Sequence, residues 1–167
     1  MLRLMKLNQY SYHLYKDFIM ELKATNLQLD NVDFLNIENF DNRELIVNYF
    51  VHEEKKFNYG IFSCTYFLYD SNVNSFIGAA NINFKKEESN LNGSANLNTI
   101  LLPNFQNLEI TIKFYDLIFK ILKEKNINFG YFLSKNDIQV EYLKSKFQVE
   151  LIKVVDEFTK LYKVSIN

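Results

Sequence analysis

SANLNTILLPNFQNLEITIKFYDLIFKILKEKNINFGYFLSKN, residues 94–136, is the stretch whose reading decides the fold. It opens on a strict alternation. Ala95, Leu97, Thr99 and Leu101 face one way and Asn96, Asn98, Ile100 and Leu102 the other, which predicts a β-strand over 94–102. Pro103 has no N–H to give a ladder and stops the strand. After the polar loop 104–107, Phe114, Ile118, Ile121 and Leu122 recur at helical spacing and predict a helix over 107–125. Asn126, Ile127 and Asn128 end it, and FGYFLS (129–134) reads as a second strand. A strand that opens through a loop into a helix N-terminus can hold a pyrophosphate. Free backbone N–H groups and the positive end of the helix dipole both face the anion.

Outward from this stretch the pattern continues to alternate between helix and strand. Residues 2–6 are a weak first strand. Tyr10, Leu14, Phe18 and Leu22 form one apolar face of a helix from about Asn8 to Lys23. Residues 25–40 have no clear period and read as a loop with room for a short helix. Asp41 and Glu44 have capping-box spacing and predict the start of a helix that carries Leu45, Tyr49, Val51 and His52 and runs to about Lys56. CTYFLY (64–69) and SFIGAANINF (75–84) flank the turn Asp70–Asn74 as a hairpin. The loop KKEESNLNG leads into strand 94–102. Beyond Asn136 a helix is expected to Lys146, then two antiparallel strands near 148–155 and 159–166, joined at Asp156 and Glu157. The order is β-α-α-β-β-β-α-β-α-β-β, an α+β class with about seven strands and four helices in one domain over 1–167.

Composition excludes several partners. The net charge is −1 and the basic runs are no longer than Lys55-Lys56 or Lys85-Lys86, so no nucleic-acid footprint is expected. No apolar run reaches the roughly 18 residues of a membrane span, and the N-terminus does not read as a signal peptide. Cys64 is the single cysteine, so no internal disulfide can form, which fits a cytoplasmic location. It reads as a buried strand residue, with no histidine placed to activate it. His13 and His52 are too isolated for a metal site. Aromatic residues reach 16%, a surplus expected to be partly exposed and to support a homodimer.

The element order resembles the GNAT superfamily of N-acetyltransferases. Two segments carry the resemblance, TYFLYDSNVNSFIGAANINF as the hairpin of that family's second and third strands and LNTILLPNFQN as its fourth strand running into the cofactor loop. The resemblance implies a twisted mixed sheet whose fourth and fifth strands are parallel and part just after Leu102 to admit acetyl-CoA. It implies pantetheine contacts from the backbone of Leu101 and Leu102, and pyrophosphate contacts from Gln106 and the N–H groups of Asn107, Leu108, Glu109, Ile110 and Thr111. No metal is implied. The family's loop is Gln or Arg, two residues, Gly, one residue, then Gly or Ala; here only Gln106 fits, with Glu109 and Thr111 in the small-residue places.

In the last helix Asn136 matches the family's asparagine and is equally a helix N-cap. Leu143 stands at the family's tyrosine place. Tyr142, one residue earlier, is the candidate to protonate the leaving thiolate or else a core residue. Strand 94–102 has no general base, but Asn96, Asn98 and Thr99 can orient a water. Glu21, the other catalytic candidate, and Asp33 lie where a cationic amine acceptor, small molecule or peptide, would approach. The implied activity is transfer of an acetyl group from acetyl-CoA to an amine by direct attack. The alternative is a GNAT-fold module for binding or oligomerisation that no longer uses CoA.

Overall fold

A computed structural model of the chain describes residues 1–25, 32–53, 61–85 and 93–166. A seven-stranded sheet runs through them in the order β1-β2-β3-β4-β5-β7-β6. The strands are β1 (Leu2–Met5), β2 (Ile61–Asp70), β3 (Ser75–Lys85), β4 (Gly93–Leu101), β5 (Ile127–Ser134), β6 (Val149–Val154) and β7 (Lys160–Ser165). All neighbours are antiparallel except β4 and β5, which run parallel. Four α-helices are described: α1 (Tyr12–Ala24), α2 (Arg43–His52), α3 (Leu108–Glu124) and α4 (Asp137–Lys144). Two single 3-10 turns, Asp33–Leu35 and Ile37–Asn39, occupy the stretch expected as loop, and a third covers Pro103–Phe105.

The helices divide between the two faces of the sheet because successive strand residues point to opposite sides. Tyr15, Phe18, Ile19 and Leu22 of α1 and Ile46 and Phe50 of α2 bury against Phe67, Phe76 and Ala79. Phe67 is the hinge of that packing. Its ring meets Tyr15 at 5.8 Å and Phe50 at 5.3 Å edge-on, and stacks on Phe76 at 5.0 Å. On the opposite face Phe114, Tyr115, Ile118 and Leu122 of α3 and Val140 and Leu143 of α4 pack on Ile82, Leu97, Phe132 and Val164. The aromatic surplus is thus mostly core. Of the exposed apolar residues, Leu151, Ile152, Val154, Val155 and Phe158 gather on β6 and the turn after it.

Several local expectations change. α1 begins at Tyr12, and Tyr10 is 79% exposed, outside the buried stripe. Asn8 and Ser11 hydrogen-bond each other ahead of the helix and hold the chain in a turn there. The N-cap of α2 is Asn42 and not Asp41. The Asn42 side chain accepts from the Leu45 N–H at 3.0 Å, while Asp41 pairs with Lys16 at 2.6 Å. The buried side of α2 is Ile46 and Phe50; Leu45, Tyr49, Val51 and His52 are exposed. The expected continuation of this helix to Lys56 and most of the loop KKEESNLNG lie outside the described residues. The hairpin turn, the start of α3 and the final β6–β7 pair stand where the sequence puts them within two residues.

Candidate functional site

The site begins with a ladder that stops early. β4 and β5 pair from Gly93↔Ile127 to Leu97↔Phe132 and no further. β4 stays bonded to β3 as far as Leu101, and β5 stays bonded to β7 as far as Ser134. The two strands therefore part at Leu97, and not at Leu102 as expected. Each keeps its outer partner while the inner edges diverge. A bulge at the foot of the pair, where the register jumps from Ile127 to Phe129, adds local twist. The inner backbone edge of Asn98–Leu101 is left without a strand partner, which is the exposed polar edge a ligand can complete.

On the α3/α4 side of this wedge lies a cavity of about 350 Å³, lined by Thr99, Ile100, Leu101, Gln106, Thr111, Asn136, Ile138, Gln139 and Tyr142. Six sequence-chosen residues meet here: Thr99, Leu101, Gln106, Thr111, Asn136 and Tyr142. The Gln106 amide donates to the Leu101 carbonyl at 2.9 Å and ties the loop to the splayed strand. Thr99 and the Tyr115 hydroxyl are 2.9 Å apart. Burial pushes the Tyr115 phenol up to about 12 and the Thr99 contact pulls it back, so it stays a neutral hydrogen-bonding group that fixes Thr99. The Asn136 side chain caps α4, accepting from Ile138 at 3.0 Å and Gln139 at 3.2 Å, so of its two readings the cap is realised.

The phosphate end is tighter than expected. Of the five N–H groups from Asn107 to Thr111, three are engaged within the chain. Asn107 donates to the Phe105 carbonyl, Ile110 to the Asn107 side chain at 3.0 Å and Thr111 to the Asn107 carbonyl at 2.9 Å. The cause is Asn107 itself, which serves as N-cap of α3. Leu108 and Glu109 supply the two remaining N–H groups, and the exposed Glu109 side chain places a carboxylate in the same first turn. Leu102 is not part of this side. It is fully buried in the α1/α2 core.

The opposite side of the wedge carries a second cavity of about 640 Å³. Its polar lining is Asn83, Asn96, Asn98 and Tyr131, and its apolar lining includes Leu97, Phe132, Leu133 and Leu161. Asn96 and Asn98, considered in the sequence, reach this cavity while Thr99 reaches the other, as alternation requires. Glu21 and Asp33 are exposed on the α1/α2 side and line neither cavity. Cys64 is buried in β2.

Sequence reading missed Glu53, which is 6% exposed at the end of α2. Its carboxylate accepts from the Thr65 N–H at 2.7 Å, the Thr65 hydroxyl at 3.0 Å, the Ser63 hydroxyl at 3.1 Å and the Asn81 amide at 2.9 Å. β1 pairs with β2 only from Phe67 to Asp70, so the Thr65 N–H has no strand to meet and Glu53 takes that place. The only sequence signal was the period-two polar set Ser63, Thr65, Asn81 and Asn83 within otherwise apolar strands.

No family model matches the chain, and no curated protein matches it. Solved structures do. An acetyltransferase of the GNAT family from Staphylococcus aureus Mu50 shares 17% identity over the whole of both chains, with a TM-score of 0.58. The PaiA N-acetyltransferase of Thermoplasma acidophilum, solved with coenzyme A, shares 18% over 99% of both chains, with a TM-score of 0.58. The microcin C7 self-immunity acetyltransferase MccE, solved with acetyl-CoA and AMP, shares 12% over 99% of this chain and 92% of its own, with a TM-score of 0.66. The chain has the GNAT fold.

Proposed function

We propose that this protein transfers an acetyl group from acetyl-CoA to an amine by direct attack in a ternary complex. The observation that carries the reading is the parting of β4 and β5 at Leu97, with a cavity on each side of the gap. Thioester enters from the α3/α4 side and amine from the other. The pantetheine amides complete the free edge of Asn98–Leu101 beside Asn136 and Tyr142, and the pyrophosphate takes the Leu108 and Glu109 N–H groups beside Gln106. The amine nitrogen attacks the thioester carbonyl carbon, forming C–N and breaking C–S. The nitrogen's proton leaves to a water held by Asn98 or Thr99, and Tyr142 donates its proton to the departing thiolate. Glu21 and Asp33, away from the reacting atoms, attract a cationic acceptor toward the α1/α2 side.

Coenzyme binding in the solved neighbours PaiA and MccE supports the cofactor assignment. No described helix is long and apolar enough to cross a membrane. A homodimer through β6 belongs to the same reading, since β6 is an edge strand with Leu151, Ile152 and Val154 exposed.

Calorimetry with acetyl-CoA tests the cofactor step. Saturable heat is expected, and no heat at millimolar ligand would remove it. One observation favours the alternative of a module that no longer uses CoA: the Asn107 cap and Glu109 narrow the phosphate end. Under that alternative Glu109→Gly fails to create binding.

A further inference from the structure

Glu53, Asn81 and Asn83 form a directed chain of hydrogen bonds that ends in the cavity opposite α3 and α4. Asn81 turns its NH2 group toward Glu53, whose Oε1 accepts from its Nδ2 at 2.9 Å. The same NH2 group also meets Ser63 at 3.1 Å and Thr65 at 3.0 Å. The Asn81 carbonyl oxygen then faces along the strand and accepts from the Asn83 NH2 at 2.7 Å. Asn83 is left with its carbonyl oxygen for the cavity it lines. Glu53 and Asn81 are buried at 6% and 2% exposure, so water does not compete for the bond between them. The two amides are thus oriented in series, and the orientation set at Glu53 reaches the cavity wall.

The wall continues across the sheet. Asn83 pairs with Asn96 and Asn81 with Asn98 in the β3–β4 register, and Asn96 pairs with Tyr131 in the β4–β5 register. Three asparagine amides and a phenol therefore stand side by side on one surface. Among the described lining residues none is a carboxylate. Each amide both donates and accepts, the complement of a hydroxyl group, while Leu97, Phe132, Leu133 and Leu161 supply an apolar surface for the carbon skeleton.

We infer that this cavity is the acceptor subsite, that it takes a monoamine bearing several hydroxyl groups, and that the Asn83 carbonyl oxygen accepts an N–H of that amine. Glu53 is a positioning residue: it dictates which end of Asn83 meets the substrate. The inference deepens the acetyl-transfer reading and rests on it for the reaction, but not for amine binding. Polyamines with a second ammonium group find no carboxylate on the described wall and bind more weakly.

The test uses the intact protein and two amines, glucosamine and spermidine. In side-chain amide NMR spectra without acetyl-CoA, glucosamine is expected to shift the Asn83 and Asn96 signals and spermidine to leave them in place. Glu53→Gln can turn its amide either way and no longer dictates the orientation of Asn81. It is expected to raise the glucosamine KM about tenfold with kcat and the acetyl-CoA Kd unchanged; Asn83→Ala should do the same without touching the buried carboxylate. Spermidine outcompeting glucosamine, or silent Asn83 and Asn96 signals, would overturn the inference. So would an unchanged glucosamine KM in both variants. Should the NMR shifts occur while acetyl-CoA gives no heat, the acyl-transfer reading fails and the amine subsite stands.

Discussion

The two sides of the wedge are built differently. The α3/α4 side comes from one continuous stretch, Thr99 to Tyr142, in which strand, turn, helix, strand and helix follow each other along the chain. The other side is assembled from five places, with Glu53 from the end of α2, Asn81 and Asn83 from β3, Asn96 and Asn98 from β4, Tyr131 from β5 and Leu161 from β7. The first depends on local signals such as a proline stop and helix caps. The second depends on register, because a one-residue slip in β3 would turn Asn81 and Asn83 to the opposite face. The difference predicts where each side is vulnerable.

The largest effect is expected on the register-built side. Glu53→Leu leaves the Ser63, Thr65 and Asn81 donors buried without their acceptor, and each orphaned group costs on the order of 1–3 kcal/mol. Urea unfolding should show a loss of about 3 kcal/mol or more. A loss below about 1 kcal/mol would mean that the network is not buried as described. Next comes Gly78→Ala, which strikes the other side. An added Cβ would meet the Ile100 carbonyl oxygen at 2.8 Å and a Leu101 methyl at 2.6 Å. Overpacking of that kind costs about 1–3 kcal/mol and displaces Leu101 from the cavity wall, so acetyl-CoA affinity should fall with stability. Stability falling alone would separate Leu101 from the ligand.

Glu109→Gln is smaller and of opposite sign. Removing one exposed carboxylate from a helix N-terminus favours an anion by about 0.3–1 kcal/mol, or roughly two- to fivefold in acetyl-CoA Kd. Weaker binding in this variant would show that the pyrophosphate does not approach α3. The smallest effect is at the β6–β7 turn beside the acceptor cavity. Asp156 accepts from the N–H groups of Phe158 at 2.9 Å and Thr159 at 2.8 Å, and these bonds hold its carboxyl below its ordinary value. A depressed folded pKa gives a contribution that is full above the ordinary carboxylate value and lost as pH falls through the lower folded one. Amide exchange at Phe158 and Thr159 should quicken only in that acid range, and Asp156→Asn should flatten the dependence.

How much of the molecule was legible follows the same division. Asn136 announced α4 because a cap is settled between one side chain and the next turn, and the spacing of Phe114, Ile118 and Leu122 announced α3. The cap at Asn107 was missed, and its side chain occupies the Ile110 N–H that a phosphate was expected to take. Tyr142 lines the cavity with Gln106 and Asn136 although it sits one residue from the expected place, while Leu143, which holds that place, is buried in the core. Glu53 was invisible. Nothing within its own helix marks it as buried, and its partners lie 10, 12 and 28 positions away. Asp41 looked the better cap by spacing to Glu44, but Lys16 claims it.

The most direct measurement is a backbone amide NMR titration with acetyl-CoA. If the thioester enters between β4 and β5, the signals of Asn98–Leu101, Leu108, Glu109 and Leu133 shift together and saturate, while Ser94–Leu97, below the parting point, stay in place. Shifts confined to surface residues elsewhere, or none at millimolar ligand, would contradict a cofactor wedge opening at Leu97.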